Sequence, residues 1–150
     1  MNDEPDILLD TNVISELMRE EPDPAVLRWI APLPMSGLFL SVISLGELVH
    51  GVERLPRGAR RSHLERKVER LTEEFGPRLL SFDRECAILW GRTLATSAAA
   101  GRPRPAIDGQ IAAVAMRYGL RIASRDQRAF AGLDVVRLDP WGSPQTQGRG

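Results

Sequence analysis

The 150-residue sequence predicts an α/β fold built on a parallel β-sheet. Two observations carry this prediction. Short apolar runs bounded by polar residues recur along the chain, as is typical of strands buried on both faces of a sheet. Amphipathic helical segments separate these runs, and alternating strands and helices favour parallel pairing through right-handed crossovers. Because no linker or internal repeat divides the chain, we expect one domain over residues 1–141 and a disordered tail over residues 142–150.

The first half of the chain is predicted to form two strands and four helices. In order, they are a strand over residues 7–9, a helix capped by Thr11 or Asn12 and reaching about Met18, a helix over residues 24–30, a strand over residues 38–43, and helices over residues 45–55 and 59–75. Prolines separate the helices, because proline in a helix interior removes a hydrogen bond and clashes with the preceding turn. The last two helices are expected to form a helical hairpin.

The second half is predicted to add three strands and three helices. In order, they are a strand over residues 79–82, a helix capped by Asp83 and reaching residues 98–100, a connector over residues 101–105, a helix over residues 107–118, a strand over residues 121–124, a short helix over residues 127–130 and a strand over residues 135–138. Gly119 suits the C′ position of the second of these helices, since glycine readily adopts the left-handed conformation found there.

Four acidic residues follow the apolar strands or open the helices after them: Asp10, Glu47, Asp108 and Asp126. Three of them have an adequate local explanation. Glu47 completes an S-x-x-E capping box with Ser44, Asp108 complements the dipole of its helix, and Asp126 suits an N-cap. Asp10 is harder to explain in this way, because Thr11 or Asn12 would cap the next helix. We therefore expect the Asp10 carboxylate to face a cleft.

Considered together, the four acids predict a site for a divalent cation. Open α/β sheets bind ligands outside the carboxyl ends of their strands, where these residues should lie. Like charges ~4 Å apart repel one another by on the order of 4 kcal/mol at an intermediate dielectric, so convergence without a cation is unfavourable. Oxygen ligands suit Mg2+, which keeps several bound waters.

Composition excludes a disulfide-stabilised fold, and the overall charge does not indicate a partner. The 20 basic residues balance the 20 acidic ones, so net charge indicates no partner. A basic stretch over residues 54–70 is either a solvated helix surface or a nucleic-acid contact. Cys86 is the only cysteine, which excludes an intramolecular disulfide, and we expect it in the core. The absence of a leader or a membrane-spanning run predicts a soluble, cytoplasmic protein.

Four motifs resemble, in order and spacing, those of the PIN-domain ribonucleases, and most closely the FitB-like branch of the VapC-type toxins of bacterial toxin-antitoxin modules. The motifs lie at residues 8–17, 41–48, 107–113 and 124–126. The resemblance implies a single PIN-like domain whose five strands lie in the order 3-2-1-4-5. It also implies an endoribonuclease that uses Mg2+ or Mn2+ to activate the water that hydrolyses an RNA phosphodiester.

The resemblance assigns roles to individual residues. Its four acidic positions, which serve as catalytic residues and metal ligands, match Asp10, Glu47, Asp108 and Asp126. Thr11, Asn12 and Ser124 would orient these acids, with Ser124 standing where many relatives have threonine. Arg125 is a candidate for contact with an RNA phosphate. Arg92 is a candidate either for the same contact or for a structural ion pair.

The resemblance also implies partners, namely an RNA substrate, a cognate antitoxin and a second copy of the chain in a homodimer, with a hetero-oligomer formed on antitoxin binding. One alternative retains the fold without the chemistry, as a catalytically silent PIN-like module that binds RNA or protein. A phosphoacceptor signalling domain is disfavoured because it needs a lysine near a late strand. The only lysine, Lys67, lies in the predicted hairpin.

Overall fold

The computed structural model describes residues 6–142, and these residues form a five-stranded parallel sheet flanked by helices. The strands are β1 (Ile7–Leu9), β2 (Leu38–Ser41), β3 (Leu79–Leu80), β4 (Arg121–Ala123) and β5 (Arg137–Leu138). They lie in the order β3-β2-β1-β4-β5, and each neighbouring pair is parallel. The predicted fold class and strand order are confirmed. All of the predicted tail except Gly142 lies outside the described residues.

The helices lie close to their predicted positions. They are α1 (Thr11–Leu17), α2 (Pro24–Ile30), α3 (Val42–Glu53), α4 (Ala59–Phe75), α5 (Arg84–Ala99), α6 (Ala106–Tyr118) and α7 (Gln127–Phe130). Asp83 caps α5 by accepting a hydrogen bond from the Cys86 amide, and Gly119 ends α6 with a φ of 65°. Both of these helix ends are as predicted. Within residues 6–142, no helix is both long and apolar enough to cross a membrane.

The start of α3 differs from the prediction. We expected a strand through residue 43 and a helix from residue 45, whereas β2 ends at Ser41 and α3 begins at Val42. The cause is local, because the Ser41 side chain accepts a hydrogen bond from the Ile43 amide at 3.0 Å and so forms the N-cap. Ser44 therefore lies inside the helix, and the predicted capping box between Ser44 and Glu47 is wrong.

The two edge strands are shorter than predicted. β3 stops at Leu80, which pairs with Ser41, the last residue of β2. β5 is likewise limited to Arg137 and Leu138, which pair with the last two residues of β4. β3 has a neighbour on one side only, so its pairing ends where β2 ends.

The core lies on both faces of the sheet. The residues of β1 are all apolar because side chains on both faces of this strand are buried. Ile7 and Leu9 pack in the cluster on one face, while Leu8 packs in the cluster on the other. Burying a side chain of this size contributes ~1.5–3 kcal/mol. Cys86 is fully buried in the second cluster, which confirms its predicted place in the core.

The direction of strand order reverses at β1, which pairs with β2 on one side and β4 on the other. Ligands of open α/β sheets bind in the crevice outside the carboxyl ends of strands at such a reversal. Asp10 follows β1 and Ser124 follows β4 at this edge, where the Asp10 amide donates to the Ala123 carbonyl at 2.9 Å. The fold therefore directs a functional site to the ends of β1 and β4.

Candidate functional site at the carboxyl edge of the sheet

Asp10 lies at the centre of this edge and is only 7% exposed. Its Oδ1 accepts a hydrogen bond from the Thr11 amide at 2.8 Å, and Asp10 is thereby the N-cap of α1. The prediction that Thr11 or Asn12 would cap this helix is wrong, because α1 begins at Thr11, which is one residue earlier than a Thr11 cap requires and two residues earlier than an Asn12 cap requires. The second oxygen, Oδ2, accepts from the Ser124 hydroxyl at 2.6 Å. Asp10 therefore caps α1 with one carboxylate oxygen and contacts Ser124, which follows β4, with the other.

Burial raises the pKa of Asp10 to about 6, even though the hydrogen bonds from Ser124 and Thr11 act in the opposite direction. The negative charges of Asp108 and Glu47 raise this pKa further. A carboxylate that is shielded from water and surrounded by other acids is costly to ionise. A bound cation would offset that cost, so Asp10 is a residue that could hold a metal ion.

Glu47 lies on α3 and reaches the same edge through Thr11. Its Oε1 accepts a hydrogen bond from the Thr11 hydroxyl at 2.6 Å. The same hydroxyl lies 2.9 Å from Oγ of Ser44, which is fully buried. In place of the predicted capping box, Glu47 and Ser44 thus share a hydroxyl partner that follows β1, and this contact fixes α3 against the start of α1.

Asp108 and Asp126 approach the edge from the opposite side. Asp108 lies in the first turn of α6, as predicted, and is half-buried. Burial raises its pKa, as do the charges of Asp126 and Glu47, whereas the charge of Arg104 lowers it. Asp126 is exposed and caps α7, with Oδ1 accepting from the Arg128 and Ala129 amides at 3.1 Å each. The predicted capping role of Asp126 is confirmed.

Ser124 connects the two sides of the site. This fully buried hydroxyl donates to Asp10 and accepts hydrogen bonds from the Asp126 amide at 3.0 Å and from Asn12 Nδ2 at 3.1 Å. Asn12 Nδ2 also lies 3.4 Å from Oδ2 of Asp10, and Asn12 Oδ1 accepts from the Arg125 amide at 3.4 Å. The three residues predicted to orient the acids, namely Thr11, Asn12 and Ser124, all contact an acid directly.

The four acids lie near one another without forming a closed ligand set. Asp10 interacts electrostatically with Asp108 and Glu47, and Asp108 interacts with Asp126 and Glu47. Within residues 6–142, however, no three acidic, histidine or cysteine side chains lie close enough together to hold a metal ion as they stand. The donor chemistry nevertheless suits Mg2+ or Mn2+, since all four side chains offer carboxylate oxygens.

The two arginines assigned from the sequence lie at the periphery. The Arg125 guanidinium lies over the Trp141 ring, 5.2 Å from its centroid. Arg92 is exposed on α5, and the contact seen for it is a hydrogen bond from the Thr96 hydroxyl to its backbone carbonyl. The arginine that acts on Asp108 is Arg104, which we did not single out from the sequence. Arg104 lies between Pro103 and Pro105, which restrict its backbone but do not indicate where its side chain points.

A groove of about 720 Å3 extends from Glu47 between α1, α3 and α4. Apolar side chains of α3 and α4 line it together with Arg60, His63 and Lys67. The basic stretch is partly neutralised, because Arg61 forms ion pairs with Glu53 and Glu65. Lys67 donates to the Met18 carbonyl at 2.8 Å. The Arg61–Glu53 pair joins α3 to α4 as the predicted hairpin.

Gly109 allows α5 to approach the turn of α6 that carries Asp108. A Cβ atom at Gly109 would lie 3.1 Å from Cδ1 of Trp90 and 3.3 Å from its Nε1. Trp90 also contacts Phe82 edge-on, with ring centroids 6.2 Å apart. The indole therefore supports the first turn of α6 directly beside Asp108.

The sequence and the structure of this chain are both similar to those of known proteins. The PIN-domain family matches residues 7–136. The chain is 43% identical to the plasmid stability protein StbB of Pseudomonas syringae, and the match covers 90% of this chain and 98% of the relative. It is 38% identical to the VapC ribonuclease Y4jK of Sinorhizobium fredii, with 90% of this chain and 97% of the relative covered. It is 36% identical to the toxin FitB of Neisseria gonorrhoeae, with 90% of this chain and 98% of the relative covered. The crystal structure of FitAcB from Neisseria gonorrhoeae superposes with a TM-score of 0.86 at 36% identity, covering 91% of this chain and 99% of the other.

Proposed function

Since the chain belongs to the PIN-domain family, we propose that it is an endoribonuclease and the toxin component of a type II toxin-antitoxin module. The observation that carries this proposal is the buried Asp10 carboxylate, which lies where the strand order reverses and interacts with two further acids. The names of relatives as a VapC ribonuclease and as a toxin support the same function. The proposed substrate is RNA, cut at its phosphodiester backbone.

We further propose that Asp10 and Asp108 bind Mg2+ or Mn2+ directly and that Glu47 and Asp126 contribute partly through water. A divalent cation in such a site lowers the pKa of a bound water and neutralises charge on phosphate oxygens. The protein supplies the arrangement of the ligands. Ser124 holds Oδ2 of Asp10, and Thr11 holds Oε1 of Glu47, so neither carboxylate has to be ordered when the substrate binds.

The proposed protein partners are a cognate antitoxin and a second copy of this chain. The groove beside Glu47 suits an amphipathic antitoxin segment, because apolar side chains line its floor and charged side chains its rim. A basic side chain on that segment could reach the acids from the Glu47 end and take the place of the cation. The similarity to FitAcB supports a toxin-antitoxin assembly.

The purified chain, free of antitoxin, is expected to cleave RNA with Mg2+ or Mn2+ and to lose this activity in EDTA. Asp108→Asn should lose it even with the metal present, whereas Asp134→Asn, which changes an exposed aspartate, should retain it. Mapping new 5′ ends in cellular RNA after brief induction would identify the substrate, with Asp108→Asn as the control. If no cellular RNA is cut, the alternative of a silent RNA- or protein-binding module is favoured.

Thr11→Val is expected to lower the cleavage rate about 10- to 100-fold, because Glu47 loses the hydroxyl that orients it while the side-chain volume is kept. The free energy of unfolding should fall by only about 1 kcal/mol. Thr72→Val is the matched control, since the Thr72 hydroxyl bonds within its own helix to the Val68 carbonyl. Equal rate losses in the two variants would contradict the role assigned to Thr11.

A further inference from the structure

Arg104 joins the connector between α5 and α6 to the end of α7. Its Nε donates to the Ser97 hydroxyl at 2.9 Å. Its Nη1 donates to the Arg128 carbonyl at 3.2 Å and to the Ala129 carbonyl at 2.5 Å, and its Nη2 donates to the Ala131 carbonyl. One guanidinium thus connects α5 to three carbonyls at the end of α7, those of Arg128, Ala129 and Ala131. Only a planar fork with several donors can make this set of contacts.

These contacts matter because α7 is a single turn of four residues, Gln127–Phe130. A helix this short is unstable on its own, since forming the first turn fixes several residues for one hydrogen bond. Its carbonyls also lack partners in a following turn. Ala129 and Phe130 bury one side of α7, while Arg104 satisfies the carbonyls at its end.

The opposite end of α7 carries a proposed metal ligand. Asp126 accepts the amides of Arg128 and Ala129 with its side chain, and its own amide donates to Ser124, which in turn bonds Asp10. Asp126 is exposed, and among residues 6–142 its carboxylate accepts hydrogen bonds only from these amides of α7. The location of its carboxylate is therefore set by the placement of α7.

We propose that Arg104 is a positioning residue, which holds α7 so that the Asp126 carboxylate stays beside Asp108. Arg104 lies four residues before Asp108, in the connector that leads directly into α6, so its contacts with α7 link the elements that carry the two acids. This inference rests on the proposed nuclease function and deepens it. The positive charge of Arg104 also offsets the acids, as its lowering effect on the pKa of Asp108 indicates. The experiment must therefore separate positioning from charge.

Arg104→Lys keeps the charge and removes the fork, whereas Arg104→Met removes both. We expect both variants to reduce kcat for Mg2+-dependent RNA cleavage about 10- to 100-fold, by analogy with other residues that orient metal ligands. Arg102→Lys, the same change two residues away on an exposed side chain, should cleave at the normal rate. A lysine variant with normal activity would show that charge alone matters and would overturn the proposal.

A double-mutant cycle tests whether Arg104 acts through Asp126. Asp126→Asn removes the charge and keeps an N-cap, since asparagine caps helices as well as aspartate does. Arg104→Lys should have little further effect on kcat in the Asp126→Asn background, because the effects of substitutions at two interacting residues do not add. Full additivity of the two losses would mean that Arg104 acts elsewhere and would overturn the proposal.

Hydrogen exchange of the metal-free protein tests the placement of α7 without any assay of activity. In Arg104→Lys the Arg128 and Ala129 amides should exchange at least about 10-fold faster, while α6 amides keep their protection. Unchanged exchange at these two amides would overturn the proposal. If exchange rises as expected but the wild-type chain cleaves no RNA, only the proposed function fails. If Arg104→Lys loosens the whole chain, Ser97→Ala, which removes one contact of Arg104, should give the same local pattern more weakly.

Discussion

Asp10→Asn is expected to lower the rate of Mg2+-dependent RNA cleavage at least about 100-fold, because changing residues that only orient metal ligands already costs about 10- to 100-fold. The substitution keeps the size of the side chain and removes its charge. Asparagine can still accept the Thr11 amide hydrogen bond that caps α1, so the fold should persist. Initial rates over a range of Mg2+ concentrations would measure the effect.

The same substitution should make the metal-free protein more stable at pH 7. The wild-type chain has to bury the ionised Asp10, whose pKa is raised to about 6, and a tenfold change in a protonation equilibrium corresponds to about 1.36 kcal/mol. Relief of this cost is worth up to ~3 kcal/mol, or up to about 6–12 °C in Tm for a chain of this length. The new amide reduces the gain, because its Nδ2 would face a Ser124 hydroxyl whose oxygen already accepts two hydrogen bonds, and the Ser124 proton would lose its acceptor.

Asp23→Asn is the matched control for both measurements. Asp23 also caps a helix, with its side chain accepting the Ala25 amide hydrogen at 2.9 Å, but it lies outside the site. Its variant should leave cleavage and Tm nearly unchanged. An Asp10→Asn protein that loses activity together with stability would place Asp10 among ordinary structural residues and contradict its proposed role as a ligand.

The sequence predicted the fold well because its signals are local. Short apolar runs specify buried strands, and their alternation with helices specifies a parallel sheet. The strand order came from the resemblance to the PIN-domain family, and it matches the observed order. The start of α3 was misplaced because Val42 and Ile43 have the branched side chains typical of strands. The cap formed by Ser41 outweighed that preference, which a reading of residue types alone does not reveal.

The sequence predicted where the candidate site residues lie better than it predicted their contacts. The four acids and the three residues expected to orient them all lie at one edge of the sheet, yet Asp10 caps its own helix and Glu47 bonds Thr11 in place of the Ser44 amide. Arg104 was missed because its partners are main-chain carbonyls 24 to 27 positions away. Carbonyls carry no sequence signature, so contacts of this kind become visible only in three dimensions.

The stability of the metal-free protein should fall as the pH rises from about 4 to 7. For an acid whose pKa is higher in the folded than in the unfolded state, the folded state binds more protons, so the stabilising contribution is complete below the unfolded pKa and is lost as the pH passes the folded pKa. For Asp10 the two pKa values are 3.8 and about 6, which gives a loss of up to ~3 kcal/mol. Asp108, whose pKa is also raised by burial, adds a loss of the same sign.

Urea unfolding at several pH values in EDTA would measure this loss. Asp83 does not obscure it, because the lowered pKa of Asp83 gives a contribution that is lost only as the pH falls below about 4. Asp10→Asn should flatten the profile between pH 4 and 7, while Asp23→Asn should leave its slope unchanged. Saturating Mg2+ should restore stability to the wild-type chain near pH 7, by about 2.7 kcal/mol at one hundred times Kd, because the cation binds the ionised carboxylates. Parallel profiles for wild type and Asp10→Asn would mean that Asp10 does not carry the buried charge on which the proposed metal site depends.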